Sequence, residues 1–275
     1  MRAAGCGRNA TRPRKLRRTT DLSYGSDPRQ GIFLSAPTDP NADPGQRPAL
    51  FAFVHGGGWR VGDRRQANHA KPAWANARGM HYASIGYRLL PDAPVEEQAR
   101  DVAAAIRHLR SVAAQHGYDP DRIVLSGHSA GAHLAALVAT DPAYLGDDMM
   151  AIAGVLLIDG AGYDVAAHMA SRGIELPGVF RSAFGSDPAR QAALSPISHA
   201  GAPNASDWLI LHDAAREPST GQSRILGAAL RDAGARVEVA GIADTTHRRL
   251  NTELGTKRDG ATPLVDDWLD ALLAR

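Results

Sequence analysis

A chain of 275 residues is long enough for one large hydrophobic core and short for two. With 44% hydrophobic and 22% charged residues, the composition excludes disordered and fibrous classes. The net charge of +2 conceals an asymmetry, because residues 1–20 carry seven basic side chains and no acidic one, leaving −5 on residues 21–275.

Taken in chain order, residues 1–20 read as a basic arm, and residues 21–275 as a single domain. The arm has no aromatic residue for stacking on bases and no apolar face for lipid, so no nucleic-acid partner is expected. Its Cys6 is the chain's lone cysteine, which excludes an intrachain disulfide and a cysteine metal cage. No apolar run follows the basic residues, and none approaches the ~18 residues of a membrane span. The expected location is the cytoplasm. Residues 21–24 and 31–36, split by a Ser-Asp-Pro turn, suit an antiparallel hairpin at a sheet edge, and the proline-rich residues 37–48 suit a surface loop.

From Leu50 onward, short apolar runs alternate with segments of helical period, which predicts an α/β fold: a mostly parallel central sheet with helices on both faces. Strands are expected at residues 50–54, 82–86, 123–126, 154–158, 208–211 and 237–239. Between them, Val95, Ala99, Val102, Ile106, Leu109 and Ala113 form one apolar stripe at helical spacing, and Gly117 supplies the stop. Further helices are expected at residues 130–140, at 222–233 ended by Gly234, and from Pro263 onward.

Three stretches carry chemistry. In VLSGHSAGAH, residues 124–133, a G-x-S-x-G lies between an apolar strand and a helix, the setting of a nucleophile elbow. Gly127 and Gly131 leave room where a Cβ would collide with the neighbouring strand and helix, and Ser129 is expected at the sheet's C-terminal edge, at a helix N-terminus. In FVHGGGWRVGD, residues 53–63, successive glycines follow another strand and let backbone N–H groups reach a substrate oxygen. Gly57, Gly58 and the Ala130 N–H are the expected oxyanion donors. A phosphate cradle is disfavoured, since neither the Lys-Ser/Thr of a P-loop nor G-x-G-x-x-G is present. The third stretch places His247 on a loop beyond the last strand. His128 and His133 flank the elbow, but no H-E-x-x-H or cysteine partner accompanies them, so no metal and no cofactor is expected.

HGGGW, GHSAG, AFGSDPARQAALSPISH and the stretch running from QSRILGAALRDAGARVEV to TTH together resemble the α/β-hydrolase carboxylesterases of the hormone-sensitive-lipase type, especially their feruloyl-esterase-like branch. Arylformamidases are similar and share an HGG-x-W loop. The resemblance covers residues 21–275 and implies an α/β-hydrolase fold with a Ser, acid, His order along the chain. It implies Ser129 as nucleophile, His247 as base and a small-molecule ester as substrate, small or aryl, cleaved through an acyl-enzyme. An aryl-amide hydrolase and a hydrolase-fold binding protein are the alternatives. Oligomeric state is left open.

The same resemblance places the acid on the loop after residues 208–211, where the expected position is occupied by Ala215 with Arg216 beside it. Asp213 and Glu217 flank that gap, and in an extended segment both point the same way as residue 215. Asp159, ending the preceding strand, is a third candidate. Asp213 is preferred because it sits on the rigid strand end, while Pro218 biases Glu217 toward extended backbone.

Overall fold

A computed structural model of the chain describes residues 19–37, 47–170, 177–201 and 204–275. The basic arm lies outside the described residues up to residue 18, and Thr19 and Thr20 already belong to a strand. Of the proline-rich connection, residues 38–46 also lie outside.

Among the described residues, eight strands form one sheet: β1 Thr19–Ser23, β2 Gly31–Ser35, β3 Leu50–Val54, β4 His81–Ile85, β5 Ile123–His128, β6 Ile152–Ile158, β7 Asp207–Asp213 and β8 Arg236–Ile242. Their order is β1-β2-β4-β3-β5-β6-β7-β8. β1/β2 and β2/β4 are antiparallel and the remaining pairs parallel, so the expected hairpin does close one edge.

The helices are α1 Lys71–Ala77, α2 Val95–His116, α3 Ala130–Thr140, α4 Pro142–Leu145, α5 Val165–Ala170, α6 Pro177–Phe184, α7 Pro188–Ala193, α8 Glu217–Asp232, α9 His247–Glu253 and α10 Thr262–Leu273. Gly117 stops α2 in the left-handed region at φ 82°, where a residue without Cβ is at ease. α8 starts five residues earlier than expected because Pro218 falls in its first turn, where the missing N–H has no intrahelical partner to lose.

Side-chain alternation along the strands divides the core in two. In β3, Leu50, Ala52 and Val54 join the cluster that includes Val102, Ile106 and Leu134, from α2 and α3. Phe51 and Phe53 face the other way, into the cluster of Trp74, Leu250, Val265 and Leu269, from α1, α9 and α10. Helices thus cover both faces of the sheet.

The chain leaves β3 through α1 to reach β4 on one side, then crosses through α2 to β5 on the other. Loops leaving adjacent strands β3 and β5 therefore part in opposite directions at their C-terminal ends. A crevice at such a reversal is where open α/β sheets bind ligands. The two glycine motifs are those loops.

Candidate active site

Ser129 follows β5 directly and caps α3 in a conformation ordinary residues avoid, φ 55° and ψ −122°. Its turn survives only with glycine as neighbours. A Cβ at Gly131 would lie 2.2 Å from the Val54 carbonyl oxygen, and one at Gly127 would lie 2.2 Å from that of Gly131. The serine N–H is tied to the Ile158 carbonyl at 3.0 Å, which fixes the elbow to β6.

The His55–Trp59 loop is anchored from behind. Tyr87 Oη donates to the His55 carbonyl at 2.8 Å, and Gln98 Nε2 and the Leu90 N–H both donate to that of Trp59, at 3.0 and 2.9 Å. Gly57 sits at φ 133°, a region essentially reserved for glycine. Gly56, Gly57, Gly58 and Ala130 line the same cavity as Ser129. Ala130 is also the first residue of α3, so its N–H has no intrahelical acceptor.

His247 opens α9, with Thr246 as N-cap. Its Nε2 lies 3.1 Å from Ser129 Oγ and its Nδ1 2.6 Å from Asp159 Oδ2. The second contact assigns the proton to Nδ1, which donates to the carboxylate and leaves Nε2 to accept from the serine hydroxyl. A serine, a histidine and a carboxylate form one hydrogen-bonded line.

The carboxylate on His247 belongs to Asp159 and not to Asp213. The backbone does not stay extended beyond β7: Asp213 Oδ1 accepts the Ala215 N–H at 3.0 Å and the Asp213 carbonyl accepts that of Arg216 at 3.1 Å, a tight turn that holds the Asp213 side chain. Glu217 is exposed at the start of α8. Asp159 directly follows β6, the immediate neighbour of the strand bearing the elbow, whereas β7 is one strand further away.

Asp159 is fully buried. Its Oδ1 accepts from the Asp213 N–H at 3.1 Å and from Ser219 Oγ at 2.5 Å, and its Oδ2 from Arg216 Nη1 at 3.1 Å as well as from His247. Burial alone raises a carboxyl pKa, but the bonds from His247 and Ser219, with the Arg216 charge, outweigh it and hold Asp159 well below the usual carboxylate range. The β7–α8 turn, where the family resemblance places the acid, supplies donors to an acid from β6 instead. Arg216 and Ser219 have no motif that announces them. The signal available for Asp159 was a buried apolar run ending in Asp beside the nucleophile strand.

The cavity has a volume of about 690 Å³. Trp59, Ala161, Val179 and Phe180 contribute an apolar wall, and Arg216 and His247 a polar one. Trp59 is buried among rings, with centroids 5.4 Å from His133, 5.3 Å from Phe180 and 4.8 Å from Phe184. No helix among the described residues is long and apolar enough to cross a membrane.

Comparison with known proteins agrees with this architecture. Residues 39–152 match the BD-FAE family model. Esterase LipQ of Mycobacterium tuberculosis is 30% identical over 271 residues, covering 94% of this chain and 63% of LipQ. A probable isoprenylcysteine alpha-carbonyl methylesterase of Arabidopsis thaliana is 34% identical over 122 residues, 42% of this chain and 23% of its own length. The chain thus spans less than two thirds of these relatives. The butyrate-bound structure of a thermophilic esterase from Thermogutta terrifontis superposes with a TM-score of 0.72 at 24% identity, covering 92% of this chain and 94% of that one, and shares the fold. By fold and by these sequence matches, the chain has the α/β-hydrolase fold and is similar to esterases, with the BD-FAE match confined to residues 39–152.

Proposed function

We propose that this chain is a serine hydrolase that cleaves carboxylic esters of small or aryl substrates, with Ser129, His247 and Asp159 as its triad. The observation that carries the reading is the hydrogen-bonded line from Ser129 Oγ through His247 to a buried, ionised Asp159, opening into a cavity edged by the glycine loop. Ser129 Oγ attacks the ester carbonyl while its proton passes to His247 Nε2. The N–H groups of Gly57, Gly58 and Ala130 receive the oxyanion. As the carbonyl reforms, the alkoxide leaves with the proton held on Nε2, and an acyl-serine remains. Water then attacks the acyl group, gives a proton to His247 and releases the acid, and that proton returns to Ser129.

Asp159 does not itself take a proton. Accepting from Nδ1, it orients the ring and offsets the charge of the imidazolium formed in each step. The binding-protein alternative rested on Ala215 at the expected acid position, and an acid from β6 removes that motive. The apolar wall of Trp59, Val179 and Phe180 supports a compact acyl or aryl group on that side. A cytoplasmic location is part of the same proposal, and cell fractionation reads it.

The test is stopped-flow release of p-nitrophenol from p-nitrophenyl acetate. A burst followed by steady turnover is expected for the wild type, and neither for Ser129→Ala. Undiminished turnover in Ser129→Ala overturns the reading. A kcat/KM higher on N-formyl anilides than on aryl esters moves the substrate class from ester to amide.

A further inference from the structure

His128, the residue between Gly127 and Ser129 in the elbow, is absent from the proposed chemistry, yet it is buried against the base. Its Nε2 lies 2.9 Å from the backbone carbonyl oxygen of His247, and the two imidazole rings are 4.5 Å apart between centroids, tilted by 35°. A carbonyl only accepts, so Nε2 of His128 carries the proton and donates. Burial, with the neighbouring His247 ring adding to it, pulls the His128 pKa down to about 3. The ring is therefore neutral across the neutral pH range, and its donor is always present.

This bond fixes the base from its main chain. The hydrogen bonds to Asp159 and Ser129 set the rotation of the His247 ring, but they do not set where its Cα sits relative to the nucleophile. The His128 bond does, because His128 is joined covalently to Ser129 on one side and hydrogen-bonded to the His247 carbonyl on the other. It spans nucleophile and base directly, bypassing the β8–α9 loop that delivers His247. Gly56 of the glycine loop packs onto the same ring, since a Cβ there would lie 2.9 Å from His128 Nδ1 and 3.0 Å from Ser129 Cβ. All three parts of the site thus meet at His128.

We infer that His128 is a positioning residue, whose Nε2–H bond to the His247 carbonyl sets the distance between base and nucleophile. The inference rests on the hydrolase reading above. It concerns the base, which acts in both half-reactions, so its loss slows acylation and deacylation alike while leaving substrate binding nearly unchanged; a misplacement of about 1 Å costs on the order of 100-fold in rate.

Two amides of different reach test it. The Nε2 of a glutamine falls close to where the histidine Nε2 stands, whereas the amide of an asparagine stops short of the His247 carbonyl. His128→Asn is expected to lower kcat and the acylation rate constant by about 10–100-fold with KM within about threefold, and His128→Gln to recover most of that loss. Rates are divided by burst amplitude, so that only folded, acylable protein is counted. Asn and Gln variants that are equally slow, or that both match the wild type, overturn the inference while Ser129-dependent turnover leaves the hydrolase reading standing. Wild-type turnover in Ser129→Ala overturns both. A loss that appears in KM alone also overturns the inference, because it places His128 in binding.

Discussion

Both oxygens of Asp159 are doubly engaged, by His247, Ser219, Arg216 and the Asp213 N–H, and this saturation explains how a fully buried carboxylate stays ionised. Arg216 Nη1 also lies 3.2 Å from His247 Nδ1, so two donors converge on the same oxygen, Oδ2. Asp159→Asn presents an amide there and disturbs the tautomer of the base; kcat is expected to fall by about 10³–10⁴-fold. Asp213→Asn keeps an oxygen for the Ala215 N–H and is expected to stay within about threefold of the wild type. Measuring kcat for the pair decides between the two aspartates, and the reverse ranking refutes the assignment to Asp159. At this scale the sequence singled out Ser129 from its strand–turn–helix setting and His247 from its place after the last strand, and the two lie 3.1 Å apart. It did not single out the carboxylate that bonds to His247, because Asp159, Asp213 and Glu217 differ in their distance across the sheet from that ring, which local sequence does not encode.

The elbow is the element on which the site depends, and it has no slack. Both atoms that a Cβ at Gly131 would meet first, the carbonyl oxygens of Val54 and His55 at 2.2 and 2.4 Å, are backbone, so no rotamer change relieves the clash. Gly131→Ala is expected to lower the melting temperature by an amount equivalent to about 2 kcal/mol or more, with turnover lost alongside. An unchanged melting temperature refutes the close approach of α3 and β3. Periodicity located α2 and its stop at Gly117, since those signals are local. It misjudged the start of α8, where Pro218 reads as a break to the preceding residue but is tolerated in a first helical turn.

At the scale of the whole molecule, Lys71 links elements far apart in sequence. The first residue of α1, it is fully buried, sits 4.5 Å over the Phe53 ring, and donates to the Asn251 carbonyl and Oδ1 at 2.6 and 2.8 Å, anchoring the helix that begins with His247. Burial, opposed by Asp259, pulls its pKa from 10.5 down to about 7. Between those values the unfolded chain holds a proton that the folded chain has lost, so this group's contribution to stability rises with pH through that window and is flat below about 7. Urea unfolding at pH 7.5 and 9 is expected to show the wild type gaining on the order of 1.5 kcal/mol relative to Lys71→Met, and no differential gain refutes a deprotonating buried lysine. The alternation of apolar runs and helical stripes determined by itself that a mostly parallel sheet is covered on both faces, and the two glycine motifs marked the loops that line one cavity with Ser129. These signals are readable because strand period, helix period and tight turns each arise within a few residues. Tertiary structure alone decided that the carboxylate hydrogen-bonded to His247 is that of Asp159, directly after β6, that Arg216 and Ser219 also bond to it, and that His128 and Lys71 bond to His247 and its helix. Those contacts join residues 57 to 180 positions apart, polar groups brought together only when the chain folds over the sheet.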